Sequence, residues 1–152
     1  MTLKLSSIRA DLDRELKGDW VDSRQWPGVR FLVCALTKPS YRIKRDALVQ
    51  RLARKHKGKP IPADELAPHI GKLYCEEILS GWEGIDIAYS AETALETLTD
   101  PAYREMVAEV EYCAGTLSET DAEYVEEQVG KSEKASARSS KSEATNATSS
   151  PT

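Results

Sequence analysis

The charge of this chain reverses sharply near residue 60, and that reversal limits how its helices can pack. Between residues 38 and 59, Lys38, Arg42, Lys44, Arg45, Arg51, Arg54, Lys55, Lys57 and Lys59 stand against the single acid Asp46, nine minus one, a local net of +8. Residues 60–129 reverse this, with seventeen acids against Lys72 and Arg104, a local net of −15. Opposite blocks in one small chain attract, so an intramolecular or subunit-to-subunit match between the basic helix and the acidic helices is the expected use of the charge. A nucleic-acid surface on helix 38–59 is the competing use, and two features disfavour it. The acidic remainder repels a polyanion, and Tyr41 is the only aromatic in the basic stretch, so no stacking platform accompanies the cations.

Local signals divide the chain into a β part and a helical part. Asp19–Asp22 and Val29–Leu36 carry aromatic and β-branched residues around the turn Gln25-Trp26-Pro27-Gly28, which reads as a hairpin, with strands about 18–36. Residues 3–16 fit neither period cleanly, and a third strand or a short helix both suit them. From Ser40, a good N-cap, a basic helix runs to about His56 with Tyr41, Leu48 and Leu52 inward. Asp64 opens a second helix with the stripe Leu66, Ile70, Leu73, Tyr74 and Ile78, in which Pro68 suits a delayed start better than an interior, and Gly81 is placed to end it. The connector 82–89 has possible strand character at Ile85–Ile87. Ser90 caps a third helix with Leu95 and Leu98 inward, and Asp100-Pro101 starts a fourth with Tyr103, Val107, Val110 and Ala114 as its stripe. Ser118 and Asp121 resemble a capping box for a last helix through Val129, closed by Gly130.

The expected fold is α+β: an N-terminal β-hairpin or small antiparallel sheet followed by a bundle of about five helices over 40–130. Residues 1–130 form the single domain, and 131–152 a disordered tail, because Ser, Thr, Ala, Lys and Glu alternate there without an apolar period. No apolar run approaches a bilayer span, and Met1–Arg9 lacks the apolar block of a secretion signal, so a cytoplasmic location and no membrane partner are expected. Cys34, Cys75 and Cys113 are odd in number and set in apolar segments, as buried reduced thiols are.

No catalytic or metal motif accompanies this scaffold, so an enzyme, a cofactor and a metal centre are not expected. His56 and His69 have no Cys or His at ligand spacing, and Gly81-Trp82-Glu83-Gly84 follows a helix where a phosphate loop follows a strand. Trp82, flanked by glycines and followed by Ile85, Ile87 and Tyr89 at period two, is either a core plug at a helix junction or, with Tyr89, an anchor for a partner. Arg45, Arg51 and Arg54 are the matching candidates on the basic helix. Partner binding, with possible self-association, is the expected mode of action.

The run Ile78-Leu79-Ser80-Gly81-Trp82-Glu83-Gly84-Ile85, then Tyr89-Ser90-Ala91-Glu92-Thr93-Ala94, Leu98, Asp100-Pro101 and two short acidic helices resembles small tail-assembly chaperones of long-tailed, siphovirus-like bacteriophages. The resemblance covers roughly residues 18–130. It implies a protein that binds the tape-measure protein and recruits tail-tube subunits during tail morphogenesis, working in the host cytoplasm and absent from the mature virion. It carries over no catalytic residues. A structural tail or neck component of the virion is the neighbouring expectation, and a nucleic-acid-binding regulator using helix 38–59 the more distant one.

Overall fold

The computed structural model describes residues 1–126, so Gly130 and the tail expected over 131–152 lie outside the described residues. In chain order the elements are β1 (Thr2–Leu3), a 3-10 turn (Leu5–Ile8), α1 (Leu12–Lys17), β2 (Asp19–Asp22), β3 (Arg30–Val33) and α2 (Pro39–Lys55). There follow α3 (Ala63–Leu73), a π-helical turn (Tyr74–Ile78), β4 (Leu79–Glu83), α4 (Ala91–Leu98), a second 3-10 turn (Pro101–Tyr103), α5 (Arg104–Thr116) and β5 (Tyr124–Val125). The architecture is α+β, with small antiparallel sheets and five α-helices among the described residues. Two compact units are present, Ala10–Glu119 and a small one made of Met1–Arg9 with the described residues from Thr120 on. No helix among the described residues is long and apolar enough to cross a membrane.

In the larger unit the expected hairpin gains a third strand, giving the sheet order β2-β3-β4. β3 is central, pairing Val21 with Phe31 on one side and Phe31 with Trp82 on the other. Its alternation buries Phe31 and Val33, which meet Tyr41, Leu48 and Leu52 of α2, Ile78, Leu98, and Val110 and Cys113 of α5 in one core. Burial of such side chains, each stabilising by about 1.5–3 kcal/mol, supplies most of the drive to fold.

β4 corrects the reading of Gly81. The helical stripe ends at Ile78, whose carbonyl accepts from the Cys34 N–H at 2.9 Å, and Leu79 is already extended. Gly81 therefore lies inside a strand opposite Leu32, where a Cβ would touch both Leu32 and the Trp20 ring at 3.4 Å. Residues 85–87, read as possible strand, are loop.

Several helix starts also differ from expectation. α2 begins at Pro39 with Lys38 as N-cap, and the Ser40 hydroxyl instead donates to the Glu77 carboxylate at 2.6 Å. Pro68 sits inside α3, and Leu95 is 40% exposed while Ala94 and Leu98 take the inward positions of α4. Tyr103 lies in the exposed 3-10 turn, and Gly115 lies within α5. Ser90 and Asp100 cap as expected, accepting from the N–H of Thr93 and Ala102 at 3.0 Å each.

The small unit replaces the described part of the helix expected over 118–129. Tyr124 and Val125 pair antiparallel with Leu3 and Thr2, and the Glu123 N–H donates to the Ser7 hydroxyl at 2.8 Å. Ser118 makes no forward cap, since its hydroxyl donates back to the Gly115 carbonyl at 3.1 Å. The ambiguous stretch 3–16 resolves into the end of β1, a 3-10 turn and most of α1.

Candidate partner-binding surface

The charge reversal is used inside the fold. Lys44 of α2 reaches Glu77 at 2.7 Å and Glu76 at 3.8 Å, and the Lys38 ammonium donates to the Glu77 backbone carbonyl at 2.9 Å. At the other end of α2, Lys55 and His56 both hold Glu65 of α3, at 2.7 and 2.8 Å. The two ends of the basic helix are thus tied to α3 and to the π turn that follows it.

These contacts carry a pH signature. Hydrogen bonds from Lys44 first and Ser40 second, opposed by burial, bring the Glu77 pKa down to about 2, and the Lys55 hydrogen bond lowers that of Glu65. Both folded pKa values lie below the unfolded one of about 4.3, so the stability they contribute is complete above that pH and is lost as pH falls toward the folded values. The melting temperature is expected to be level from neutral pH to about 5 and to drop steeply between about pH 4.5 and 2. Glu77→Gln should flatten part of that drop. Circular dichroism melts at stepped pH check this; a wild-type melting temperature unchanged from neutral pH to about 2.5 is the contrary result.

Arg45, Arg51 and Arg54 form no ion pair among the described residues and are exposed. The helix does not gather all three on one face. At about 100° per residue Arg51 and Arg54 are neighbours and Arg45 lies on the other side of α2. Arg45 lines a recess of about 270 Å³ with Tyr41, Tyr74 and Glu111, whereas Arg51 lines a cleft of about 300 Å³ with His69 and Lys72.

Trp82 is in the core. Its indole is 7% exposed, its N–H donates to the Ile87 carbonyl at 2.8 Å, and the Tyr89 ring meets it edge-on with centroids 5.2 Å apart. The aromatic pair closes the 84–90 loop onto β4, which is the plug reading of the two that the sequence left open. Tyr89 itself is half-buried. Cys113 is buried, and burial pushes its thiol and that of Cys75 up to about 11, so both are protonated at neutral pH.

A strongly apolar recess lies elsewhere and was not read from the sequence. A groove of about 520 Å³ runs between α3 and the corner where α4 passes through the second 3-10 turn into α5. Leu66, Ala67, Pro68 and Ile70 form one wall, and Leu98, Pro101 and Val107 the other. Asp64, Asp100 and Arg104 stand on its lining as the charged groups. Leu66, Ile70 and Val107 pack on the core with part of their surface and leave the rest to the groove. The signal for it was the α3 stripe, whose alanine and proline at 67 and 68 are too small to fill the space beside Leu66 and Ile70.

This compact α+β unit, with internal charge pairs and an open apolar groove, is of bacteriophage origin. The family described as YdaY prophage protein matches residues 36–131, and the chain belongs to that family. The matched region spans α2 through α5, the elements that build the basic–acidic seam and the groove. No match was found among curated proteins or among solved structures.

Proposed function

We propose that this prophage protein is a tail-assembly chaperone that binds the tape-measure protein and recruits tail-tube subunits while the tail is built. The observation that carries the reading is the open groove: an apolar recess on a highly charged body suits a protein that holds another chain and later releases it. The similarity of residues 78–101 to tail-assembly chaperones supports the same reading. Many weak copies along one long partner give firm total binding with reversible single contacts. On this reading Arg45, Arg51, Arg54 and Tyr89 are peripheral contacts, and Trp82 shapes the loop that presents Tyr89.

Co-expression with the tape-measure and tail-tube proteins of the same prophage, followed by affinity capture and mass spectrometry, tests the proposal. Both partners are expected in the captured complex, and the protein is expected to be missing from purified particles. Capture of neither partner overturns the reading. Stoichiometric presence in particles makes the protein a tail or neck component instead.

A further inference from the structure

We propose that the groove between α3 and the α4–α5 corner seats one amphipathic helix of the partner, with aliphatic side chains at helical spacing and a basic flank; this deepens the chaperone reading and rests on it.

The shape comes first. The long wall of the groove is a helix presenting Leu66, Ala67 and Ile70 at three- and four-residue spacing, and the far wall adds Leu98, Pro101 and Val107. Ridges of Leu, Ile or Met on a second helix fit such a trough, which is the helix-in-groove mode of recognition. The small Ala67 on this wall leaves room for the incoming side chain.

Charge selects the flank. Asp64 and Asp100 stand at the groove, with Arg104 the one cation among the described residues that line it. The elements that border it lie within the stretch of net −15. A lysine or arginine beside the apolar stripe would meet Asp64 and Asp100, whereas an acidic flank would meet Arg104 alone.

Occupancy by residues 131–152 is excluded by composition. Residues 131–152 contain no Leu, Ile, Val, Met, Phe, Trp or Tyr, and so offer nothing to an apolar trough.

The test uses the full chain and two synthetic helical peptides of about 18 residues, five turns, with one Leu stripe, one flanked by Lys and the other by Glu. Titration into isotope-labelled protein is expected to move the amide signals of Leu66, Ala67, Ile70, Leu98 and Val107 with the Lys peptide. Affinity for it should fall by about thirtyfold or more in Ala67→Arg, which fills the groove from an exposed position, and by about fivefold in Asp64→Lys. The Asp64→Lys difference should shrink at high salt, because rim charges are screened. Ala67→Trp, which fills the groove without changing charge, should reproduce the first loss. Equal binding of the two peptides, shifts centred elsewhere, or unchanged affinity in folded Ala67→Arg overturns the proposal. A shift in oligomer mass with concentration that Ala67→Arg abolishes would make the occupant a second copy, and also overturns it. Capture of the tape-measure protein by wild type and Ala67→Arg alike leaves the chaperone reading standing and removes the groove from it. Binding of the Lys peptide in the groove without tape-measure capture does the reverse.

Discussion

Gly71→Ala is expected to cost about 3 kcal/mol or more, enough to leave a small domain largely unfolded at moderate denaturant. Gly71 is buried in α3 where that helix crosses the end of α4. A Cβ there would lie 2.7 Å from the Leu98 carbonyl carbon and nearer still to its oxygen. The obstacle is backbone, which cannot swing aside as a long side chain can. To admit one methyl group, α3 must move off α4, and the core packing of Leu73 and Leu98 goes with it. Alanine is otherwise the better helix former by about 1 kcal/mol, so propensity alone predicts the opposite sign. Gly115→Ala supplies the control: it is also helical, nothing lies within 4 Å of its Cβ, and a change between zero and a gain of about 1 kcal/mol is expected. Urea unfolding of the two variants beside wild type decides the matter. Equal stability of Gly71→Ala and Gly115→Ala would show that the α3–α4 crossing is looser than described.

The features legible in the sequence are those whose partners lie a few residues away. Ser90 and Asp100 could be read as caps because each side chain reaches an N–H two or three residues on. The buried face of α2 was legible from Tyr41, Leu48 and Leu52, since helical period alone places them together. β4 was not. The apolar spacing from Leu66 to Ile78 continues toward Gly81 as a helix would, and only pairing of Arg30 with Glu83 and of Phe31 with Trp82 converts the segment into a strand. Its anchor is visible in cross-strand chemistry. Arg30 donates to Glu83 at 2.8 Å while its guanidinium lies 4.8 Å from the Trp20 ring centroid. β5 was hidden for the same reason: Tyr124 and Val125 fit a last helical turn until the N-terminal residues Thr2 and Leu3 supply a partner strand.

The binding surface divides along the same line. Charge reversal announced that α2 would be matched against acidic helices, and Lys38, Lys44 and Lys55 meet Glu77, Glu76 and Glu65. It did not say which cations would be left over, because that depends on helix rotation. The groove was out of reach for a different reason. Leu66 and Ile70 read as inward-facing, but how much of each a neighbouring element covers is settled by how α3 meets α4 and the α4–α5 corner, which no period along the chain records.

Replacing Glu109 by alanine is expected to cost about 3 kcal/mol, although the residue looks from the sequence like one more acid on a solvated helix. Its carboxylate is fully buried. One oxygen accepts from the Ser23 hydroxyl at 2.8 Å and from the Arg24 N–H at 3.0 Å, and the other from the Arg24 guanidinium at 3.2 Å. Burial, the largest single influence, pushes its pKa up, and the hydrogen bonds from Ser23 and Arg24 together outweigh it, so the group stays ionised and its pKa lies below the usual value. Ser23 in turn accepts from the Trp26 N–H at 3.1 Å, so one side chain of α5 fixes the whole turn between β2 and β3. Truncation leaves a part-buried N–H and hydroxyl without their acceptor, together with the space of the lost carboxylate arm. Glu109→Gln keeps the shape and one acceptor oxygen, and should cost about half as much. Arg24→Ala should cost less than about 1 kcal/mol, since the Arg24 side chain is 56% exposed and rests on the Tyr112 ring in solvent. The ranking Glu109→Ala, then Glu109→Gln, then Arg24→Ala in urea unfolding at neutral pH identifies the carboxylate as an acceptor for the turn rather than half of an ion pair. Equal losses for Glu109→Ala and Arg24→Ala would assign the stability to the salt bridge instead.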